Sequence, residues 1–284
     1  MREIISCLFI LIVFVSCETV VQVDLQDGPR RLVSESYLEF SEITGEGDAR
    51  VFLTRTSPFY AEGNPIPVTG AQVTINESYV LIEDPDSLGF YVSHQPIPYL
   101  GETSFVLDIQ TEIDGIQGHW SASDQYTSLP PIDDFYYFYN NSQSLFQDPG
   151  YFVNVMFTDP IDDVNFYHFS VEINDSLSFE LTPGTKRSSI LKDEFINGQD
   201  LNFPVNDSPL ESGDRLKFTM SSLSKYAYDY YFNLYTLLTE TSGVGAASPF
   251  PLQGNISSMN DNFDNALGIF QVRSTSIREI TIED

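Results

Sequence analysis

The feature that most restricts the fold is a period of two that recurs in short runs along much of the chain. Val21, Val23 and Leu25 fall on one side of an extended segment, with Gln22 and Asp24 on the other. Side chains alternate across a β-strand, so such a run buries one face and wets the other. Comparable runs follow at 31–40, 50–56, 71–75, 79–83, 90–93, 104–110 and 115–121. Turn chemistry separates them, at Gly45-Glu46-Gly47-Asp48, Asn64-Pro65, Asp84-Pro85-Asp86 and Asp114-Gly115. Short strands at this spacing predict an antiparallel β-sandwich, immunoglobulin-like or transthyretin-like. The 16 Tyr and 22 Phe suit pleated, half-buried surfaces.

Ser128-Leu129-Pro130-Pro131 interrupts this rhythm, because prolines do not sit inside a sheet. The expected domains are therefore a sandwich over 17–129 and a second β-rich domain over 130–284. Strand-like runs resume at 134–139, 151–158, 166–174, 177–181 and 215–222. Residues 224–241 change period. Ala227, Tyr230, Tyr231, Leu234, Leu237 and Leu238 recur at helical spacing, and Ser224 is a suitable N-cap. The tyrosines of this stretch read as packing against a sheet. A long loop over 243–265, rich in Gly, Ser, Pro and Asn, is the first place to look for a binding surface, with Phe250, Asn255 and Met259 as its contacts. Strands return at 267–274 and 278–282. Asn197-Gly198 reads as a type I′ hairpin turn.

The opening segment sets the address. Arg2 precedes an apolar stretch from Ile4 to Val15, too short to span a bilayer and suited to an export signal. Phe14-Val15-Ser16-Cys17 resembles the lipobox of bacterial lipoproteins, although those prefer Leu where Phe14 stands. On that reading residues 1–16 are a signal peptide. Cys17 becomes the lipidated first residue, carrying acyl chains such as palmitate. Cys7 is the only other cysteine, so the mature chain has no disulfide or thiolate metal site.

Little points to catalysis. The net charge of −28, from 13 basic and 41 acidic residues, argues against nucleic acid as a partner. His94, His119 and His168 lie in separate stretches without metal-ligand spacing, so neither a metal nor another cofactor is expected. Asp133-Asp134 and Asp162-Asp163 are the paired carboxylates that a glycan hydrolase would use. Pairs of this kind recur by chance in so acidic a chain. Asp159-Pro160-Ile161-Asp162-Asp163 reads as a solvated turn rather than a calcium loop. Trp120, the one tryptophan, is expected in the core of the first sandwich. Asp86-Ser87-Leu88 and Asp175-Ser176-Leu177 resemble the acceptor of periplasmic O-glycosylation in Bacteroidetes, which makes Ser87 and Ser176 candidate acceptors.

Several stretches together carry a resemblance. After the lipobox come Leu53-Thr54-Arg55-Thr56-Ser57-Pro58, Val68-Thr69-Gly70-Ala71 and Asp193-Glu194-Phe195-Ile196-Asn197-Gly198-Gln199. Later come Ser224-Lys225-Tyr226-Ala227-Tyr228, Gly254-Asn255-Ile256-Ser257 and Ala266-Leu267-Gly268-Ile269-Phe270. The chain resembles Bacteroidetes outer-membrane lipoproteins that carry domain of unknown function 4249 (DUF4249). The resemblance implies a non-enzymatic accessory lipoprotein of the outer membrane, at the cell surface or on its periplasmic face. Such a protein binds a TonB-dependent transporter or captures nutrient for it, with a glycan or peptide as the candidate ligand. A structural or assembly factor of the envelope is the alternative role, and a carboxylate-dependent glycan hydrolase a third.

Overall fold

The computed structural model describes residues 28–58, 63–143, 148–161, 164–179, 189–240 and 252–283. Residues 1–29 with 58–62 separate from residues 30–57 with 63–284 as compact units, and every element below belongs to the second. The first half supplies β1 (Leu32–Ser41), β2 (Glu46–Arg55), β3 (Ile66–Pro67), β4 (Gln72–Ile75), β5 (Tyr79–Glu83), β6 (Phe90–Ser93), β7 (Ile97–Pro98), β8 (Ser104–Ile113) and β9 (Ile116–Gln125). The second supplies β10 (Ile132–Asn140), β11 (Gly150–Thr158), β12 (Phe166–Ile173), β13 (Ser176–Phe179), β14 (Ile190–Lys192), β15 (Asp200–Pro204) and β16 (Arg215–Ser222). Helix α1 (Lys225–Glu240), β17 (Ser257–Ser258) and β18 (Leu267–Thr281) complete the order. Among the described residues the protein is mainly β with one long helix, and its large antiparallel sheet is sandwich-like.

That sheet runs β13-β12-β16-β18-β1-β2-β6-β5-β4-β8-β9-β17, and a smaller sheet runs β10-β11-β15. Among the described strands the pairing is antiparallel except at β1–β18, where Val33 through Ser41 run parallel to Leu267 through Thr275. The two strands expected at 267–274 and 278–282 are therefore one strand of 15 residues. Its first part pairs with β1 and its last part with β16, where Arg215 opposes Thr281.

Two main cores result. In the first, Leu38, Phe40, Val51, Leu53 and Trp120 are almost fully buried, as the alternation of β1 and β2 requires. Phe270 and Val272 of β18 enter the same core, with Ile256 and Ala266. The second holds Val153, Phe157, Tyr167, Phe218, Met220 and Ile282. Each fully buried Phe or Leu stabilises by about 1.5–3 kcal/mol. Pro130-Pro131 lies between the last strand of the first core and Ile132 of the second, yet β18 serves both regions.

Side chains close the seam between β9 and β18. Asn255 Nδ2 donates to the carbonyls of Ser123 (3.1 Å) and Phe270 (2.8 Å), and its Oδ1 accepts from Phe270 N at 2.9 Å. Asp124 Oδ2 accepts from Val272 N at 2.8 Å. Burial pushes the Asp124 carboxyl up from its ordinary value, against the hydrogen bonds it accepts. The backbone here is too close for any side chain. A Cβ at Gly254 would lie 1.7 Å from the carbonyl oxygen of Gly268. Close approach, rather than a positive φ, is what requires this glycine.

Local turn chemistry explains the hairpins. Asp114 and Gly115 have positive φ between β8 and β9, and Asn174 and Asp175 do so between β12 and β13, as a type I′ turn needs. At Asn197-Gly198 only Gly198 does, and the turn follows a 3-10 segment, so it is not the expected I′ hairpin. Ser224 Oγ accepts from Ala227 N at 3.1 Å, which caps α1 as expected. The helix packs against β12, β14 and β18. Ala227 is fully buried there with Phe166, Ile190, Leu223 and Ile269, and Tyr228, Tyr230 and Tyr231 cover them.

Candidate functional site

Helix α1 covers only part of its face of the large sheet. Beside it, β18, β1, β2 and β6 present their outer side chains to an open groove of about 950 Å³. The register fixes its floor as cross-strand rows. One row runs Gln271, Tyr37, Arg50, Val92. The next runs Ile269, Glu35, Phe52, Phe90. A third begins Arg273, Glu39, Asp48. Tyr230, Tyr231 and Leu234 of the helix form the wall. A second cavity, of about 660 Å³, shares Glu35 and Tyr230 with the groove and extends it toward Gly254.

The groove mixes flat apolar surface with polar groups of both signs. Phe52 and Phe90 stack, with centroids 4.1 Å apart and planes at 15°, and Phe90 remains 39% exposed. Arg273 lies 4.5 Å above the Tyr37 ring and bonds Glu39 Oε2 through Nε at 2.6 Å. Gln271 is 5% exposed. Its Nε2 donates to Tyr231 Oη at 2.7 Å, while its Oε1 has no partner. Burial, helped by neighbouring Tyr231 and Glu35, pushes the Tyr230 hydroxyl up to about 12. It therefore stays protonated and able to donate. His168 stacks on Tyr231 at 5.8 Å. Burial, and then the nearby Arg273, pull its imidazole down to about 4, so the ring is neutral at physiological pH.

The residues singled out in the sequence do not converge on this groove, with one exception. Ser87 lines it, half-buried in a turn where Ser87 N donates to Asp84 O at 3.2 Å. Ser176 is exposed at the start of β13. Met259 is 60% exposed on the far side of β17, where its N donates to His119 O at 2.8 Å. Asn255 has both ends of its amide committed to the β9–β18 seam. Cys17, Phe250 and Asp162 lie outside the described residues. Residues 252–265 are not a free loop: β17 pairs with β9, setting Ser258 against Trp120. Trp120 is fully buried, as expected, and its Nε1 donates to Asp264 O at 3.2 Å.

The carboxylates sort differently from the expectation. Asp133 is exposed and accepts from Thr158 Oγ1 at 3.2 Å. Asp159 does not sit in a solvated turn. It is 1% exposed, takes the Tyr167 hydroxyl at 2.5 Å and Gly198 N at 3.2 Å, and its pKa is raised, chiefly by burial. Asp193 is fully buried nearby, with Oδ2 bonded to Asn165 N and Oδ1 unpartnered. Among the described residues no three His, Cys, Asp or Glu side chains gather closely enough to hold a metal ion.

The family model described as "Domain of unknown function (DUF4249)" matches residues 18–278. The chain belongs to this family. A search of curated proteins finds no match. The DUF4249 match covers the first core, the seam, α1 and every residue lining the groove, so the groove is built wholly from family sequence. Glu35, Arg50 and Gln271 escaped the sequence reading because each looks like an ordinary outward strand residue. The β1–β2 hairpin brings Glu35 and Arg50 together, but only the parallel pairing of β1 with β18 sets Gln271 beside them.

Proposed function

We propose that this DUF4249 protein is a lipid-anchored, non-enzymatic accessory lipoprotein of the outer membrane that captures a nutrient for a TonB-dependent transporter. The observation that carries the reading is the open groove on the outer face of β18-β1-β2-β6. A concave site with flat apolar surface and a few placed polar groups, built on strands, suits capture and release of a small ligand. The lipobox-like Phe14-Val15-Ser16-Cys17 supports the anchor. An acylated Cys17 would hold the sheet close to the membrane, within reach of a transporter embedded there.

The test is purification of the full chain from its native envelope in mild detergent, beside a Cys17→Ser variant. The expected result is a diacylated or triacylated N-terminus by intact mass, a TonB-dependent barrel in stoichiometric yield, and loss of membrane association in the variant. Recovery of assembly machinery alone would replace capture with a structural role. Glycan turnover abolished by Asp133→Asn or Asp162→Asn would replace it with hydrolysis.

A further inference from the structure

Resting on the capture reading, we infer that the groove beside α1 binds a neutral saccharide, with Phe90 and Phe52 as its stacking surface and Glu35, Arg50 and Gln271 as its hydrogen-bonding groups. The first step is the orphaned amide. Gln271 is 95% withdrawn from solvent, lines the groove, and has one end fixed by Tyr231 Oη while Oε1 has no partner. A buried acceptor left unpaired costs about 1–3 kcal/mol. Oε1 has almost no accessible surface, so a ligand hydroxyl removes that cost only when the amide turns toward the groove.

The charge pattern selects the ligand class. Arg273 is neutralised by Glu39 on the adjacent strand. Glu35 and Arg50, on neighbouring strands of the floor, have no ion pair among the described residues. An anion would meet Glu35, Asp48 and Asp84 in a chain of net charge −28. A cation would meet Arg50, which projects from the floor without an ion pair among the described residues. Neither sign of ligand finds a uniform field. A polyol finds what it needs, because each hydroxyl both donates and accepts. Glu35 and Gln271 Oε1 accept, whereas Arg50 and the Tyr230 hydroxyl donate.

The apolar side fits the same class. Phe90 keeps 39% of its surface exposed, although it stacks on Phe52. The C–H face of a pyranose is flat and weakly polarised, and packs on such a ring without losing its equatorial hydroxyls to the floor. The groove continues past Glu35 and Tyr230 into the second cavity, so an oligomer of several sugars is favoured over a monosaccharide.

The test uses the full chain in a polyoxyethylene detergent, since sugar-headed detergents would compete. An array of neutral and charged oligosaccharides is screened beside a peptide library, and the best binder is titrated calorimetrically. The expected result is binding of neutral oligosaccharides, weakened at least tenfold by Phe90→Ala, Glu35→Gln and Gln271→Met. Leu100→Ala, at a residue 74% exposed elsewhere, leaves it unchanged. Unchanged thermal unfolding shows that the variants fold. Binding of charged glycans or peptides only would overturn the neutral-saccharide assignment and leave capture standing. Silence on both arrays, or neutral binding indifferent to all three groove variants, would also overturn it. Transporter co-purification reports separately on the accessory role.

Discussion

The strands β1, β2 and β18 have two faces of opposite character. Toward the first core they turn Leu38, Phe40, Val51, Leu53, Phe270 and Val272, all nearly free of solvent. Toward the groove they turn Glu35, Tyr37, Arg50, Phe52, Gln271 and Arg273. The same nine-residue ladders carry both, offset by one position. Strand periodicity thus separates stability from recognition: neighbours in sequence answer to different physics. Substitution on the inner face should unfold the protein, whereas on the outer face it should change what the protein binds.

The strongest break of this comparison is Phe270→Ala. Phe270 is fully buried where β18 meets the first core. Its removal forfeits transfer energy and leaves a cavity, so a loss of about 3–5 kcal/mol is expected by urea unfolding. A loss below about 1 kcal/mol would mean that β18 is not packed as described.

Asn255→Ala should rank second. It deprives Phe270 N of its acceptor, and Phe270 O and Ser123 O of a donor, at the β9–β18 seam. Losing three hydrogen bonds that are at most part-buried, each worth about 0.5–1.5 kcal/mol, predicts a loss of about 2 kcal/mol. Co-purification with a partner should otherwise be unaffected. Loss of a partner at unchanged stability would restore Asn255 as a recognition residue.

Smaller, and of opposite sign, is Asp193→Asn. Asp159 has its folded pKa raised, by burial first and by Asp193 among the lesser causes. A raised carboxyl pKa means that the native state holds the proton more tightly. Its stabilising share is present below the unfolded value near pH 4, and is lost as pH rises through the folded value. At pH 7 the pair is therefore a liability. An amide at 193 can still accept from Asn165 N through its oxygen, and can also donate to Asp159. The variant should gain about 1 kcal/mol at pH 7 and nothing at pH 3, read from paired urea titrations. A loss at pH 7 would indicate that a cation holds the two carboxylates together.

How much of this was legible in the sequence follows the same division. Alternation placed most long strands, Ser224 placed the start of α1, and Trp120 and the tyrosine stripe were read correctly as packing. These are local signals, set by period and capping. The two-residue strands Ile66–Pro67 and Ile97–Pro98 were invisible, because proline argues against strand and two residues show no period. The parallel partner of β1 lies more than 200 residues away in the chain, and nothing local announces it. Gly254-Asn255 carries a turn signal that suits an open loop as well as a seam. The tertiary hydrogen bonds that make it a seam leave no trace in composition. The groove was hidden for the same reason, since its polar residues match any solvated face until β18 is set beside β1.

The least perturbing substitution is the one that sharpens the comparison most. Arg50 projects from β2 between Tyr37 on β1 and Val92 on β6, exposed and without an ion pair among the described residues. Arg50→Ala removes no buried contact and leaves no buried group unsatisfied. Surface changes of this kind stay within about 0.5 kcal/mol. The neighbouring inward residue, Val51, is fully buried, and truncating it to Ala should lower stability several times more. Urea midpoints for the adjacent pair compare the two faces at one strand and one depth in the sheet. Equal losses would show that the outer face is structural. A silent Arg50→Ala with weakened ligand binding would show that residues one position apart divide stability from recognition.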